Sequence, residues 1–198
     1  MPTAETLQYF NLGARGQYVR NAYKYGGIEF TDQRYEFAEW PEIKPGTPLG
    51  QLPVLTMEGD DVKYVQSLAM LRFVGGRAGL YPKVGSKEQL IVEDVLETCN
   101  ELWSNCPKAP ADRPEYIKTK VTAGLTHVEE LVKTHSGSDA KFVLGDKMSV
   151  ADLFVHGYVH FFSSGFFDEF PKDTFEKYDV IMKIFTNVDN HFKKSADA

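Results

Sequence analysis

Cysteine is scarce in this 198-residue chain, which has only Cys99 and Cys106. Their spacing of seven sets them on one helical face but too far along it for a disulfide. Both are expected to be reduced core thiols, and no histidine or second cysteine pair stands near them at metal-ligand spacing. Basic clusters are missing too: no run of Lys or Arg exceeds a pair, and 22 basic against 28 acidic residues leave a net charge of −6. A nucleic-acid or anionic-membrane binder would carry a basic footprint, so those partners are set aside. No apolar run reaches the roughly 18 residues of a membrane span, and residues 1–10 have neither the basic nor the apolar part of a leader, so a cytosolic location is expected. The chain also lacks a glycine-rich phosphate loop, a nucleophile elbow, an internal repeat and any low-complexity stretch.

What is present is a composition of 42% hydrophobic and 25% charged residues, which belongs to a soluble folded protein. The length is awkward for one compact core and suits two small domains better. The two parts read differently. Residues 1–80 hold 8 basic and 9 acidic residues, residues 81–198 hold 14 and 19, and four of the ten prolines crowd between Pro41 and Pro53. A boundary near Pro82 follows.

In the first part, residues 6–10 read as a short strand. Residues 15–25 carry Val19, Ala22 and Tyr23 at helical spacing before a Gly26-Gly27 stop, and residues 28–35 are strand-like again. That is a βαβ unit with parallel strands and a right-handed crossover. A Trp- and Pro-rich loop comes next, then strands over 52–57 and 62–65 around a turn at Glu58-Gly59-Asp60-Asp61, and a helix over 67–75. The second part is almost devoid of strand signal. Leu90, Ile91, Val95, Cys99, Leu102 and Cys106 form one helical stripe, and Val121, Leu125, Val128, Leu131 and Val132 form another within 116–135. The segment 107–114, with three prolines, joins these two helices, and further helices are expected over 150–162 and 175–192.

Several local patterns bear on chemistry. Ser149-Val150-Ala151-Asp152 has the form of a capping box with Asp in place of Glu, a structural feature. Leu52-Pro53 enters a strand through a proline: a trans bond opening an edge strand and a cis bond turning the Leu52 backbone toward a peptide-like ligand are equally compatible with the sequence. Gln66-Ser67 lies at a strand-to-helix junction, where Ser67 is either a plain N-cap or part of a carboxylate site at the helix N-terminus. His156 and His160 are four apart on a helix without a third ligand, and Phe161, Phe162, Phe166 and Phe167 read as core or interface.

Taken together, Tyr9-Phe10-Asn11 followed by Arg15, Glu39-Trp40-Pro41-Glu42-Ile43-Lys44, Gly50-Gln51-Leu52-Pro53-Val54-Leu55, Gln66-Ser67 with Ala69 and Arg72, and Ser149-Val150-Ala151-Asp152 resemble the cytosolic glutathione transferases, most closely the sigma class. The resemblance covers essentially the whole chain. It implies a thioredoxin-like α/β first domain of order βαβ-α-ββα over residues 1–80 that binds glutathione. An all-α domain over 81–198 would contribute the electrophile pocket, and the assembly would be a homodimer. The implied activity is conjugation of glutathione, as co-substrate, to small apolar electrophiles, without a metal.

The chemistry demanded is specific. A thiol of pKa about 8.5 is only ~3% thiolate at pH 7, and lowering that pKa by about two units stabilises the anion by about 2.7 kcal/mol and supplies roughly 25-fold more nucleophile. A phenol, itself protonated near neutrality, can donate to the sulfur anion. By the resemblance that phenol is Tyr9, with Arg15 adding positive charge. Trp40 and Lys44 would hold the glycine carboxylate, the Leu52 backbone, ahead of Pro53, would pair with the cysteinyl part, and Gln66 and Ser67 would bind the γ-glutamyl carboxylate, with Gln51 beside them. Two departures stand out. Asn100-Glu101 occupies the place where many relatives carry an Asp that reaches the partner subunit's glutathione, leaving Glu101 as the charge. Trp103, with Cys106-Pro107-Lys108, differs from the pocket of prostaglandin-isomerising relatives, though an aromatic there suits an apolar co-substrate. A glutathione-dependent isomerase or peroxidase is the alternative reading on the same scaffold, and a crystallin-like non-catalytic relative a third.

Overall fold

A computed structural model describes residues 4–171 and 173–196; residues 1–3, 172, 197 and 198, which fall within the two expected domains, lie outside the described residues. The chain divides into two compact units, one ending at Tyr81 and the other beginning at Pro82.

The first unit is built on a three-stranded sheet of order β2-β1-β3, with β1 (Glu5–Phe10) in the centre. The strand β2 (Thr31–Tyr35) runs parallel to it, with Tyr9 opposite Arg34, and β3 (Val54–Met57) runs antiparallel, with Leu7 opposite Leu55. Alternation along β1 buries Glu5, Leu7 and Tyr9 and leaves Thr6, Gln8 and Phe10 half-buried, the pattern of a strand with one fully covered face. The helix α1 (Ala14–Tyr25) crosses from β1 to β2 and buries Val19, Ala22 and Tyr23 completely. It ends where the glycines predict: Gly27 takes φ +58°, its N–H bonds the Lys24 carbonyl, and the Ile28 N–H bonds the Tyr23 carbonyl, a Schellman closure. That closure, with Phe30 stacked on Tyr23 at 4.2 Å, delays the start of β2 from residue 28 to Thr31.

The loop between β2 and β3 holds the short α2 (Trp40–Ile43), and α3 (Ser67–Arg77) follows the sheet. The strand expected over 62–65 does not form. Only Tyr64 bridges to Leu55, by bonds of 2.9 and 3.0 Å. Asp60 is the cause: its carboxylate takes the Val62 N–H at 2.8 Å and the Tyr64 hydroxyl at 2.7 Å, so this segment is folded onto the turn rather than extended along β3.

The second unit is helical, with α4 (Lys87–Ser104), α5 (Arg113–Tyr116), α6 (Thr122–Ser136), α7 (Val150–Ser163) and α8 (Asp179–Ala196). The helix expected from 116 to 135 begins earlier, at Arg113, and passes through a π-helical turn at Ile117–Val121 before α6. Gly124 lets α6 close on α4, because a Cβ there would lie 2.7 Å from Leu102 Cδ1. The first helix of this unit stops at Ser104, so Cys106 is not on its buried face; it is half-buried beyond the helix end, while Cys99 is buried and both are free thiols.

The box at Ser149 is present, and wider than its sequence suggests. The Asp152 carboxylate accepts the Ser149 N–H, the Ser149 hydroxyl and the Val143 N–H, each at 2.7 Å. The helix expected to start at 175 starts instead at Asp179. Its first turn is capped by a residue far away in sequence: the buried Glu129 carboxylate on α6 accepts the Val180 and Ile181 N–H groups at 3.0–3.1 Å, an anion at the positive end of a helix. No helix among the described residues is long and apolar enough to cross a membrane.

Candidate functional site

The C-terminal end of β1 carries Tyr9, which is 7% exposed. Burial pushes its phenol above the usual value, opposed by a hydrogen bond from the Arg15 N–H and by the charges of Arg15 and Arg20. The phenol is therefore protonated at neutral pH. Because the Arg15 amide already serves the tyrosine oxygen, the phenolic proton is left to point elsewhere.

Three residues to which the sequence assigned no role hold Tyr9 in place. Gly16 packs directly beneath its ring: a Cβ there would stand 2.3 Å from Tyr9 Cδ1 and 2.7 Å from Cγ, so no side chain fits without moving the ring or the helix. Arg20 is fully buried, bonded to Asp32 at 2.8 Å, to the Leu12 carbonyl at 2.7 Å and to the Phe10 carbonyl at 3.2 Å, with its guanidinium carbon 5.6 Å from the Tyr9 ring centre. It satisfies the carbonyls of the loop that joins Tyr9 to Arg15, a role that a buried charge can fill only when fully paired. Asn11 ties the same loop to β2, by its N–H to the Tyr35 carbonyl at 2.8 Å and by its amide to Glu36 at 2.8 Å. The signal for Asn11 was its place inside the Tyr9-to-Arg15 motif and for Gly16 its position directly after it; for Arg20 it was a cation among the apolar positions of α1.

Trp40 is half-buried at the start of α2, and its ring meets the Phe10 ring edge-on at 5.3 Å, so Phe10 connects it to Tyr9, whose ring is 5.7 Å from that of Phe10. Lys44 is exposed, with its stem laid over Gly50: its Cε is 3.2 Å from where a Gly50 Cβ would be. This sets it beside Gln51, which is exposed and extended. Leu52 is half-buried, Pro53 is buried, and the bond between them is cis. Gln66 is exposed and held at φ +76° immediately before α3, a costly conformation for a residue with a side chain. Ser67 is the first helical residue and not the cap, which is Gln66. Its buried hydroxyl receives the Tyr18 hydroxyl at 2.6 Å.

Glu101 and Trp103 belong to the second unit. Glu101 is exposed on α4. Trp103 is half-buried in an aromatic cluster, stacked on Phe161 at 5.1 Å and edge-on to Phe154, Tyr158 and Phe162 at 5.4–5.9 Å. A cavity of about 330 Å³ is bordered by Trp103, Cys106, Lys108, Arg113, Phe161 and Phe167, among others. Arg113 lies 4.2 Å from the Phe167 ring centre and is paired with Glu169 at 2.6 Å. Burial raises the Cys106 thiol above its usual value, which makes it a poor nucleophile at neutral pH. A larger cavity in the first unit, about 980 Å³ and bordered by Glu5, Gly27, Phe30 and Arg77 among others, contains none of the expected site residues. The charge at its wall is already paired: Glu5 is bound by Arg77 and by the Tyr23 hydroxyl.

His156 and His160 stack with ring centres 6.2 Å apart. Burial lowers the His156 pKa, and its Nε2 is 3.8 Å from Asp189, beyond hydrogen-bond distance. No group of three or more potential metal-ligating His, Cys, Asp or Glu occurs among the described residues.

A family profile for the glutathione S-transferase C-terminal domain matches residues 93–193. Glutathione S-transferase P 10 of Caenorhabditis elegans is 31% identical over 176 residues, covering 83% of this chain and 80% of that protein. The hematopoietic prostaglandin D synthase of Gallus gallus is 32% identical over 153 residues, covering 75% of this chain and 74% of its own length. Among solved structures, that of prostaglandin synthase D of Nilaparvata lugens superposes with a TM-score of 0.75 at 26% identity, covering 94% of this chain and 92% of that one. The chain belongs to the glutathione S-transferase family and is a transferase of that family.

Proposed function

We propose that the protein binds glutathione in its first unit, stabilises the thiolate with the Tyr9 hydroxyl, and adds it to small apolar electrophiles, a detoxifying conjugation. The observation that carries this reading is the state of Tyr9: a buried phenol kept protonated by its surroundings, with its oxygen already served by the Arg15 amide. Such a group keeps its one proton to donate. A sulfur anion next to it gains a charge-assisted hydrogen bond, and the positive charge of Arg15 adds to that gain. The thiol proton passes to solvent and the thiolate sulfur forms a bond to the electrophilic carbon; in a substitution the leaving group departs with its bonding pair, and in an addition the displaced π pair takes up a proton from solvent.

Along the tripeptide, Trp40 and Lys44 hold the glycine carboxylate as indole donor and counter-charge. The Leu52 backbone pairs with the cysteinyl unit ahead of Pro53, Gln51 lies alongside, and Gln66, Ser67 and the first amides of α3 receive the γ-glutamyl carboxylate. Trp103 forms part of the electrophile pocket, and Glu101 faces the glutathione of a second subunit in a cytosolic, sigma-class homodimer. Exposed apolar side chains at Leu49 (70% exposed) and Leu90 (70%) supply surface that association would cover.

Capture on immobilised glutathione and conjugation of an aryl halide test the reading together. The wild-type chain should be retained and active, and Tyr9→Phe should still bind while losing roughly 10- to 150-fold in turnover, the worth of a hydrogen bond to a charged group. Unchanged turnover would remove Tyr9 from the mechanism. A second reading, glutathione-dependent isomerisation or peroxide reduction, is favoured by the likeness to the prostaglandin D synthase of Gallus gallus. The thiolate is the reagent in each case, so product analysis with an endoperoxide and a hydroperoxide separates them. A folded chain that neither binds glutathione nor is stabilised by it would instead be a non-catalytic, crystallin-like relative.

A further inference from the structure

The Tyr18 hydroxyl has no part in the chemistry just described, yet it is fully buried and lies 2.6 Å from Ser67 Oγ, across 49 residues of sequence. Burial pushes the Tyr18 phenol up to about 12, against the charge of Arg15 and hydrogen bonds with Ser67 and the Arg15 side chain. Donor accounting gives the direction of these bonds. A guanidinium has donors only, so the Tyr18 oxygen accepts from Arg15, and its single proton goes to Ser67 Oγ. Ser67, having accepted, keeps its own proton for an acceptor outside the pair.

We propose that Tyr18 is a positioning residue for glutathione, orienting the Ser67 hydroxyl as a donor so that the site selects an ionised γ-glutamyl carboxylate over its neutral amide. The inference rests on the reading of this unit as a glutathione site. Arg15, Tyr18 and Ser67 form a donor chain that starts on a cation and ends at the ligand, and each bond in such a chain polarises the next. A charged acceptor gains about twice as much from the last donor as a neutral one does. Arg15 thus serves two hydroxyls at once: its amide leaves the Tyr9 proton for the thiolate, and its guanidinium leaves the Tyr18 proton for Ser67.

The test is calorimetric binding of glutathione and of glutathione carrying an amide in place of the γ-glutamyl carboxylate, with steady-state kinetics and thermal midpoints. The proteins are the wild type, Tyr18→Phe, Ser67→Ala and the double variant. Tyr18→Phe removes one oxygen and keeps the buried ring; Tyr18→Met repeats the measurement should the phenylalanine form not fold. The expected result is a rise of roughly five- to tenfold in Kd and KM for glutathione with kcat unchanged, a smaller rise for the amide, and no further loss when Tyr18→Phe is added to Ser67→Ala. Unchanged affinity in Tyr18→Phe overturns the proposal. So does an equal loss for acid and amide, or an equal loss with Ser67 already removed. A wild-type chain that binds no glutathione would overturn the reading of the site itself, a different outcome from either.

Discussion

The two units use buried polar groups in opposite ways. In the first, Tyr9, Arg20, Tyr18 and Ser67 form bonds that converge on the end of β1 and the start of α3, and at Tyr9 and Ser67 a proton is left to point outward. In the second, Asp152 and Glu129 absorb the N–H groups of α7, α8 and the Val143 segment and leave nothing over. The same chemistry, a polar atom satisfied inside a core, supports the proposed binding surface in one case and fastens helices in the other. What separates them is whether the hydrogen-bond chain ends on backbone or stops one donor short. The second unit also contains groups that no chain reaches: His156 has both nitrogens, and Tyr158 its hydroxyl, buried without a hydrogen-bond partner.

Breaking the contrast from the side of the first unit should have the largest effect. In Gly16→Ala the new methyl must displace the Tyr9 ring from 2.3 Å. We expect a loss of about 1–3 kcal/mol in stability and a fall in turnover on the order of 100-fold from the misplaced phenol, measured by denaturant unfolding and by conjugation kinetics. Asp152→Ala attacks the second unit instead. It strands the buried Val143 and Ser149 amides and should cost about 1–3 kcal/mol by denaturant midpoint while leaving glutathione affinity of the folded protein intact.

Acid sharpens the comparison further. Burial lowers the folded-state pKa of His156, so the unfolded chain takes up a proton first, and stability should fall as pH drops through about 6.5. Asp152 has the opposite sign: its carboxyl is pushed up to about 6, so the folded state binds the proton more tightly and gains stability as pH falls from 6 toward about 4. In His156→Phe, which keeps an aromatic ring against Phe185, the loss of thermal midpoint between pH 7 and 6 should shrink. The smallest effect is expected at Lys44, an exposed cation. Lys44→Ala should raise KM for glutathione only roughly two- to fivefold, and added salt should erase the difference.

The parts of the fold legible in the sequence were those governed by local pattern. The alternation in β1, the apolar face of α1 and its Gly26-Gly27 stop, and the Ser149 box all depend on residues within a few positions of one another. The misreadings came from distant or competing partners. Asp60 captures the Val62 amide and the Tyr64 hydroxyl, so 62–65 reads as a strand and is not one. Glu129 sets the start of α8 from about 50 residues away, which no window along the chain detects. Cys106 fits the helical stripe by spacing, but the helix ends at Ser104 before reaching it.

The candidate site was legible in a different sense. Tyr9, Arg15, Trp40, Lys44, Gln66 and Ser67 were singled out by the resemblance of their motifs to the glutathione transferases, not by any periodicity. The supports were invisible to that reading. Gly16 is glycine because a ring lies against it, Arg20 is a cation because two loop carbonyls and Asp32 need it, and Tyr18 is polar because Ser67 is next to it in space. Each is a tertiary fact carried by an ordinary residue.

The central claim concerns one proton, and the ionisation of bound glutathione tests it most directly. Thiolate absorbance in the ultraviolet, followed against pH with saturating glutathione, should give a midpoint about two units below the free thiol value of about 8.5 in the wild type, and a midpoint returned toward 8.5 in Tyr9→Phe. Equal midpoints in the two proteins would contradict the account.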